Sequence, residues 1–312
     1  MTLSAIADAD LEMRLRGEGE YFRTGPFTVH MRTNVSELIE GIALLYADYP
    51  LADGNDFADF HVSVVPPANL RRWVRPQLLF LFDGWTPFKP MPRGQAIPFF
   101  EWGLNWAVAN HAHQYLILHA AAIEKNGHAV IMPAPPGSGK STLCAGLVSR
   151  GWRLLSDELV LLSLDGSFIT PLARPISLKD RSIEVIRDFV PAAVLSKPAA
   201  DTAKGTVALM KAPADSIRRV GETARPAWII FPKYQEGADS RLEPRSKAET
   251  CLQIGENAFN YSIHGVQGFE ALANVVDSSA CYDFTYSSLD DAVRIFSTLE
   301  PPSGSTHNLV GH

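Results

Sequence analysis

The sequence predicts an α/β protein, with a small α+β lobe followed by a larger α/β domain. Two observations carry the prediction for the larger domain. A short apolar run at 129–132 passes through a glycine-rich turn into a helix-compatible run at 143–148, giving a strand, a turn and a helix in succession. A proline-rich connector, 87–98, separates this region from the lobe. The lobe is predicted from further strand-like segments at 27–31, 60–64 and 77–82.

The composition limits the functions to consider. Apolar residues make up 46% of the 312 residues and charged residues 20%, which allows a large buried core. The net charge of −6 argues against nucleic acid as a partner. No apolar run approaches the roughly 20 residues of a membrane span, and the first eight residues lack the basic start of a signal peptide. Cys144, Cys251 and Cys281 show no Cys-x-x-Cys spacing, which predicts free thiols in a reducing cytoplasm.

We expect four regions along the chain. Residues 1–20 predict a flexible arm or a short peripheral helix. Residues 21–98 form the N-terminal α+β lobe, and residues 99–300 form the α/β domain. Residues 301–312 predict a disordered tail because they are rich in small polar residues.

Local patterns predict the elements within these regions. Residues 34–37 match a capping box before a helix. Asn126 and Gly127 predict a hairpin turn between a strand at 115–122 and the strand at 129–132. Residues 191–215 predict a mobile, loop-dominated region. Further elements are predicted as a helix from Pro98 to about 111, strands at 153–156 with a continuation at 159–162, a strand at 228–231, and helices at 246–261, 268–276 and 288–299. The four tryptophans expected in the core are Trp73, Trp85, Trp102 and Trp106.

The turn at 134–142 reads Ala-Pro-Pro-Gly-Ser-Gly-Lys-Ser-Thr and has the strand-to-helix setting of a P-loop. Glycines allow successive backbone N–H groups to point at phosphate oxygens, and the helix N-terminus adds partial positive charge. Lys140 can reach the outer phosphates of ATP, and the Ser141 hydroxyl can hold Mg²⁺. The residues predicted to bind the nucleotide are Pro136, Gly137, Ser138, Gly139, Lys140, Ser141 and Thr142.

Two acids follow the next predicted strand. Asp157 and Glu158 lie between apolar strand segments, and in a parallel nucleotide-binding sheet this strand end lies beside the phosphates. One carboxylate can hold Mg²⁺ while the other accepts a proton from an attacking hydroxyl. An acidic pair on a solvated turn is the alternative. His119, on the strand before the hairpin, is on its spacing alone more typical of a satisfied core histidine.

The order of these elements resembles a known family. His119 and Ala120, a hairpin, the P-loop, a helix ending at 149–155 and the acidic pair together resemble the catalytic core of HPr kinase/phosphorylase. That resemblance covers about residues 115–180. Over the whole chain the sequence is similar to the HPr kinase-related group of bacterial serine kinases, through its segments at 173–179, 204–208, 228–234 and 256–261.

The resemblance implies a P-loop kinase core of the HPr kinase/phosphoenolpyruvate carboxykinase type. It implies that Lys140 and Ser141 take the phosphate and Mg²⁺ roles, that Asp157 is the base or a metal carboxylate with Glu158 as its partner, and that His119 tunes the acidic pair. Thr142 stands where the family has a glutamate, so we expect the forward reaction. Members of the family form rings, which makes a homo-oligomer a further expectation.

Basic residues beyond this core are candidates for neutralising the transferred phosphoryl group. Lys204 has the best case, because a flexible Gly205 beside it suits a lid over the nucleotide. Arg174 and Lys179 are weaker candidates, since each by itself is more typical of a solvated surface group.

Three functions stay open from the sequence. The favoured one is an ATP-dependent kinase that phosphorylates a hydroxyl, with serine of a peptide or small protein as the acceptor. A kinase acting on free serine or a sugar is the second. A non-catalytic module that binds ATP and reports it to a partner is the third, although a module of that kind has less need of the acidic pair.

Overall fold

The computed structural model describes residues 1–54 and 57–302. The chain is a mixed α/β protein that divides into two compact units, Met1–His111 with Ala173–Val220 and Ala112–Leu172 with the chain from Gly221 onward. The boundary predicted at residue 98 falls inside a helix, Ala96–His111. Most of the predicted tail lies outside the described residues. No helix within the described ranges has the length and apolar composition needed to cross a bilayer.

The strands in chain order are β1 (Glu20–Thr24), β2 (Phe27–Thr33), β3 (Phe60–Val65), β4 (Gln77–Phe82), β5 (Met91–Pro92), β6 (Tyr115–Lys125), β7 (His128–Pro133), β8 (Arg153–Ser156), β9 (Leu159–Ser163), β10 (Ile169–Thr170), β11 (Ile176–Lys179), β12 (Ala199–Thr202), β13 (Gly205–Met210), β14 (Arg225–Tyr234), β15 (Arg241–Pro244) and β16 (Ala280–Tyr286).

The α-helices are α1 (Asp8–Arg16), α2 (Ser36–Leu45), α3 (Ala96–His111), α4 (Lys140–Val148), α5 (Arg181–Phe189), α6 (Ala214–Arg218), α7 (Lys247–Glu256), α8 (Tyr261–His264), α9 (Val266–Ser278) and α10 (Leu289–Ser297). Short 3-10 helices occur at Leu3–Ala5, Leu70–Arg72 and Arg93–Gln95.

The first unit contains a five-stranded sheet in the order β1-β2-β3-β4-β5. The β1–β2 and β3–β4 pairs are antiparallel, and β2 and β3 are parallel neighbours whose connection contains α2. Alternate side chains of these strands are buried, which is the pattern of strands with one face against a core. Residues 1–20 carry α1, and Leu3, Leu11 and Leu15 are buried, so this arm is ordered by apolar contacts.

Three expectations in this unit were wrong. No side chain caps α2, and the Thr33 hydroxyl instead accepts a hydrogen bond from the Val35 backbone N–H. Residues 191–215 are not loop-dominated, because β12 and β13 join β11 in a three-stranded antiparallel sheet. Trp73 and Trp85 are 70% and 51% exposed rather than in the core.

The second unit is built on a mixed sheet with the strand order β10-β9-β6-β7-β14-β16-β15, in which β8 also pairs with β6. It is not the parallel sheet expected from the sequence, since β6 runs antiparallel to β7, β8 and β9. The predicted hairpin turn is confirmed: Asn126 and Gly127 have φ angles of 55° and 81°, as a type I′ turn requires. β14 lies parallel to both β7 and β16.

Two histidines, His30 on β2 and His61 on β3, lie side by side in the first unit. The Nδ1 atoms of His30 and His61 lie 2.9 Å apart, and His30 Nε2 lies 2.8 Å from the carbonyl oxygen of Glu18. Burial lowers the pKa of His30 below its ordinary value of 6.5, and the charges of His61 and Arg32 act in the same direction. The Glu18 hydrogen bond and the charge of Glu20 oppose this shift without cancelling it.

We expect the free energy of unfolding to fall as the pH drops below about 6.5, because the unfolded chain then binds a proton at His30 more readily than the folded chain does. The effect is absent well above that pH. Thermal unfolding of the wild type and of His30→Gln across this range measures it, with His128→Gln as the control. An equal acid dependence in the wild type and His30→Gln would contradict the assignment to His30.

Candidate functional site

The glycine-rich turn connects the end of β7 to the start of α4. Gly137 and Gly139 have φ angles of 83° and 89°, a left-handed conformation that favours glycine. α4 begins at Lys140 directly after Gly139, so the positive end of the helix faces the turn. Ser138 Oγ is buried and makes no hydrogen bond within residues 1–54 and 57–302. A donor and acceptor in this setting fits a bound phosphate group.

The ends of β14 and β16 fix the shape of this turn. The backbone N–H of Tyr234 donates to the carbonyl oxygen of Ser138 at 2.8 Å, and the Tyr286 hydroxyl donates to the carbonyl oxygen of Gly139 at 2.8 Å. Burial, then the neighbouring Tyr234, raises the pKa of Tyr286 well above its ordinary value, so this hydroxyl keeps its proton. Sequence reasoning missed both tyrosines as loop supports, since each is the last residue of a strand far along the chain from the turn.

Gly139 also has a packing reason to be glycine. A Cβ atom built there would lie 2.4 Å from Tyr286 Oη and 2.9 Å from Tyr234 Cβ. A Cβ built at Gly137 would meet no described heavy atom within 4 Å. The open side of Gly137 is therefore available to a ligand, whereas the corresponding side of Gly139 is filled by the protein.

β6 sets the positions of the turn and the acidic pair. On one side of β6, Ala120 pairs with Pro133, the last residue of β7. On the other side His119 pairs with Leu159, so residues 157–158 lie beside the same part of β6. Two strand spacings amount to about 10 Å. The acidic pair and the start of the glycine-rich turn are thus neighbours across β6, even though the sheet is not parallel.

The two acids differ in burial. Asp157 is 4% exposed, whereas the side chain of Glu158 is 19% exposed. The Ser156 hydroxyl accepts a hydrogen bond from the Leu159 backbone N–H and so shapes the bend that carries the pair. A solvated turn would leave both carboxylates exposed, so the burial of Asp157 argues against that alternative.

The charges of Lys140 and Asp157 both affect the pKa of the buried Cys144 thiol. Burial raises the pKa of Cys144 well above its ordinary value, the negative charge of Asp157 raises it further, and the positive charge of Lys140 lowers it. Cys144 lies one helical turn after Lys140 in α4 and is buried. The Cys144 thiol therefore lies within electrostatic range of both the Lys140 ammonium and the Asp157 carboxylate.

His119 contacts Glu158 rather than the interior of the core. Its Nε2 atom lies 3.3 Å from Glu158 Oε2, and its side chain is 30% exposed. The ring of Phe259 lies 5.5 Å from the imidazole. The structure thus brings His119 next to Glu158, and the tuning of the acidic pair by His119 stays a prediction.

The segment Asn257–Asn260 occupies the edge of β6 that β7 leaves when it turns into the glycine-rich loop. The backbone N–H of His119 donates to the Asn257 carbonyl oxygen at 2.7 Å. The Asn260 amide accepts from the Ile117 N–H and donates to the Tyr115 carbonyl oxygen at 2.9 and 2.8 Å. This segment was predicted as part of a helix from 246 to 261, but α7 ends at Glu256. Residues 257–260 thus support the part of β6 that carries His119.

The sequence predicts that Ser141, Asp157 and Glu158 hold Mg²⁺. Ser141 and Thr142 lie in the first turn of α4 and are partly buried. Over the ranges that the structure describes, no three side chains of His, Cys, Asp or Glu form a metal-binding group. Mg²⁺ usually takes one or two carboxylates together with phosphate oxygens and water. The binding of Mg²⁺ by Ser141, Asp157 and Glu158 together with a nucleotide therefore stays a prediction.

The basic residues considered as a lid lie in the other compact unit. Lys204 is in the two-residue turn between β12 and β13, with its ammonium 5.6 Å from the centre of the Trp102 ring. Arg174 is buried beside Glu101 and donates to Asn105. Arg174 thus has a structural role within the first unit, and the nucleotide contact of Lys204 stays a prediction.

Neither a family model nor a curated protein sequence matches the chain. Among solved structures the chain is similar to the HPr(Ser) kinase/phosphatase from Coxiella burnetii, at 13% sequence identity. The match covers 58% of this chain and 91% of that chain, with a TM-score of 0.25. A likeness this distant decides neither fold nor activity, which have to be inferred from the chain's own residues.

Proposed function

We propose that the chain is an ATP-dependent phosphotransferase that moves the γ-phosphoryl group to a hydroxyl, with a serine of a peptide or small protein as the acceptor. One observation carries the proposal. β6 places a buried Asp157 and a His119–Glu158 contact beside the end of β7, where the glycine-rich turn begins. The sequence resemblance to HPr kinase/phosphorylase supports the same reaction and the same acceptor.

The residues divide the reaction between them. Backbone N–H groups of residues 137–141 and the Lys140 ammonium bind the phosphates of ATP. Asp157 accepts the proton as the acceptor hydroxyl forms its bond to the γ-phosphorus, and the bond from that phosphorus to the β,γ-bridging oxygen breaks to release ADP. His119 holds Glu158 in position. Ser141 and the acidic pair would hold Mg²⁺, which would supply positive charge to the phosphate oxygens.

The experiment is a search for the labelled acceptor. The purified chain is given γ-labelled ATP, Mg²⁺ and a bacterial lysate, and labelled polypeptides are identified by mass spectrometry. A labelled serine peptide is the expected result. Label that appears only in a metabolite assigns the enzyme to small molecules. Nucleotide binding without any transfer would favour an ATP-sensing module and contradict the proposed activity.

A further inference from the structure

The connection between β3 and β4, residues 66–76, exposes large apolar side chains. We call it the Arg-Trp loop. Leu70, Trp73 and Val74 are 75%, 70% and 62% exposed. Asn69 Oδ1 accepts a hydrogen bond from the Arg71 N–H and fixes the single 3-10 turn of the loop. Three large apolar groups held in water within five consecutive residues favour a surface that contacts a partner.

The loop also concentrates positive charge on an acidic protein. Arg71, Arg72 and Arg75 are all exposed. No acidic residue occurs between Asp59 and Asp83, although the net charge of the chain is −6. Within residues 1–54 and 57–302, none of these arginines forms an ion pair with a carboxylate. Charge complementarity therefore points to an anionic partner.

The strands beside the loop argue against a peptide that adds to the sheet. β3 is paired on both sides, by β2 and β4, and β4 is paired by β3 and β5. The strand residues that adjoin the loop are therefore already paired, since β5 covers Gln77 and Leu78 of β4, which leaves no free edge there for a peptide. The three-residue helix Leu70–Arg72 is also too short to offer the apolar stripe that a helical partner would need.

We propose that the Arg-Trp loop binds the surface of an anionic lipid bilayer. Arginine guanidinium groups pair with phosphate and carboxylate groups of the lipid heads. Tryptophan favours the boundary between head groups and acyl chains, and Leu70 and Val74 add apolar area at the same depth. The guanidinium of Arg72 lies 5.8 Å from the centre of the Trp73 ring, so the two groups can enter this boundary together. Surface binding needs no membrane-spanning helix.

The test is sedimentation of the full chain with vesicles. We expect binding to phosphatidylcholine vesicles that contain about one third phosphatidylserine, little binding to phosphatidylcholine alone, and release at high salt. Replacing Arg71, Arg72 and Arg75 with Gln should weaken binding by about 100-fold, since each basic residue adds about a fivefold preference for the anionic surface. Trp73→Ser should weaken it by roughly tenfold.

Control variants elsewhere on the chain distinguish an effect of the Arg-Trp loop from a general effect of net charge or apolar surface. Replacing Arg218, Arg241 and Arg294 with Gln removes the same charge from exposed arginines that already have carboxylate partners, and it should leave binding unchanged. Leu252→Ser is the apolar control, because Leu252 is 73% exposed elsewhere. Equal loss in test and control variants would overturn the proposal. Binding to polyglutamate without binding to vesicles would do the same, and would assign the loop to an acidic polypeptide.

Discussion

Replacing Asp157 with Asn is expected to slow phosphoryl transfer by about 100-fold to 10,000-fold, the contribution of a well-placed general base. The amide has nearly the same volume as the carboxylate but cannot accept the hydroxyl proton. Asp157 is 4% exposed, so water cannot easily replace it. ATP affinity should change little, because the phosphates are bound by the glycine-rich turn and Lys140.

The rate of labelled product formation and the dissociation constant for ATP measure the two effects separately. Asp165→Asn is the matched control, since Asp165 lies on an exposed turn of the same unit and accepts hydrogen bonds from Ser163 and Ser167. Its transfer rate should equal that of the wild type. Partial recovery of Asp157→Asn at high Mg²⁺ would assign Asp157 to the metal rather than to the proton. Full transfer by Asp157→Asn would exclude both roles.

Gly139→Ala is expected to lower the free energy of unfolding by about 2–4 kcal/mol and to abolish tight ATP binding. A left-handed alanine costs about 1 kcal/mol or slightly more, and overpacking typically adds about 1–3 kcal/mol. The overpacking arises because the new Cβ would lie 2.4 Å from Tyr286 Oη and 2.9 Å from Tyr234 Cβ. Either the loop or both tyrosines must move.

Denaturant unfolding and ATP titration of two glycine variants check this prediction. Gly137→Ala carries the same backbone strain but no steric overlap, so its unfolding free energy should fall by only about 1 kcal/mol. Adding Tyr286→Phe to Gly139→Ala removes the closest atom and should recover part of the stability. If Gly137→Ala and Gly139→Ala lose equal stability, the tyrosines do not constrain the loop.

Local sequence signals predicted the parts of the site that lie close together along the chain. The hairpin at Asn126 and Gly127, the glycine-rich turn and the strand that precedes the acids each follow from a few consecutive residues. The pairing of β6 with β7 on one side and β9 on the other brings these parts together. A prediction of separate strands does not give that pairing. His119 was ambiguous for this reason, since its contact with Glu158 depends on a neighbouring strand.

The missed features depend on pairing between distant segments. Residues 257–260 are not helical as predicted, because they form hydrogen bonds with the edge of β6, including one from the backbone N–H of His119. Residues 199–210 form strands because β11 pairs with β13. Tyr286 supports Gly139 from a strand whose own sequence gives no sign of that contact. In each case a long-range hydrogen-bonding partner outweighs the local preference.

The type I′ turn at Asn126 and Gly127 has a consequence for how this protein can evolve. The turn fixes how β6 and β7 are aligned, and side chains alternate between the two faces of a strand. An insertion of one residue into the turn that slipped this pairing would move His119 relative to Pro133 and to the loop that follows it, without changing any residue of the site. We therefore expect related sequences to differ in length rarely at this turn and more often at the turn after β9.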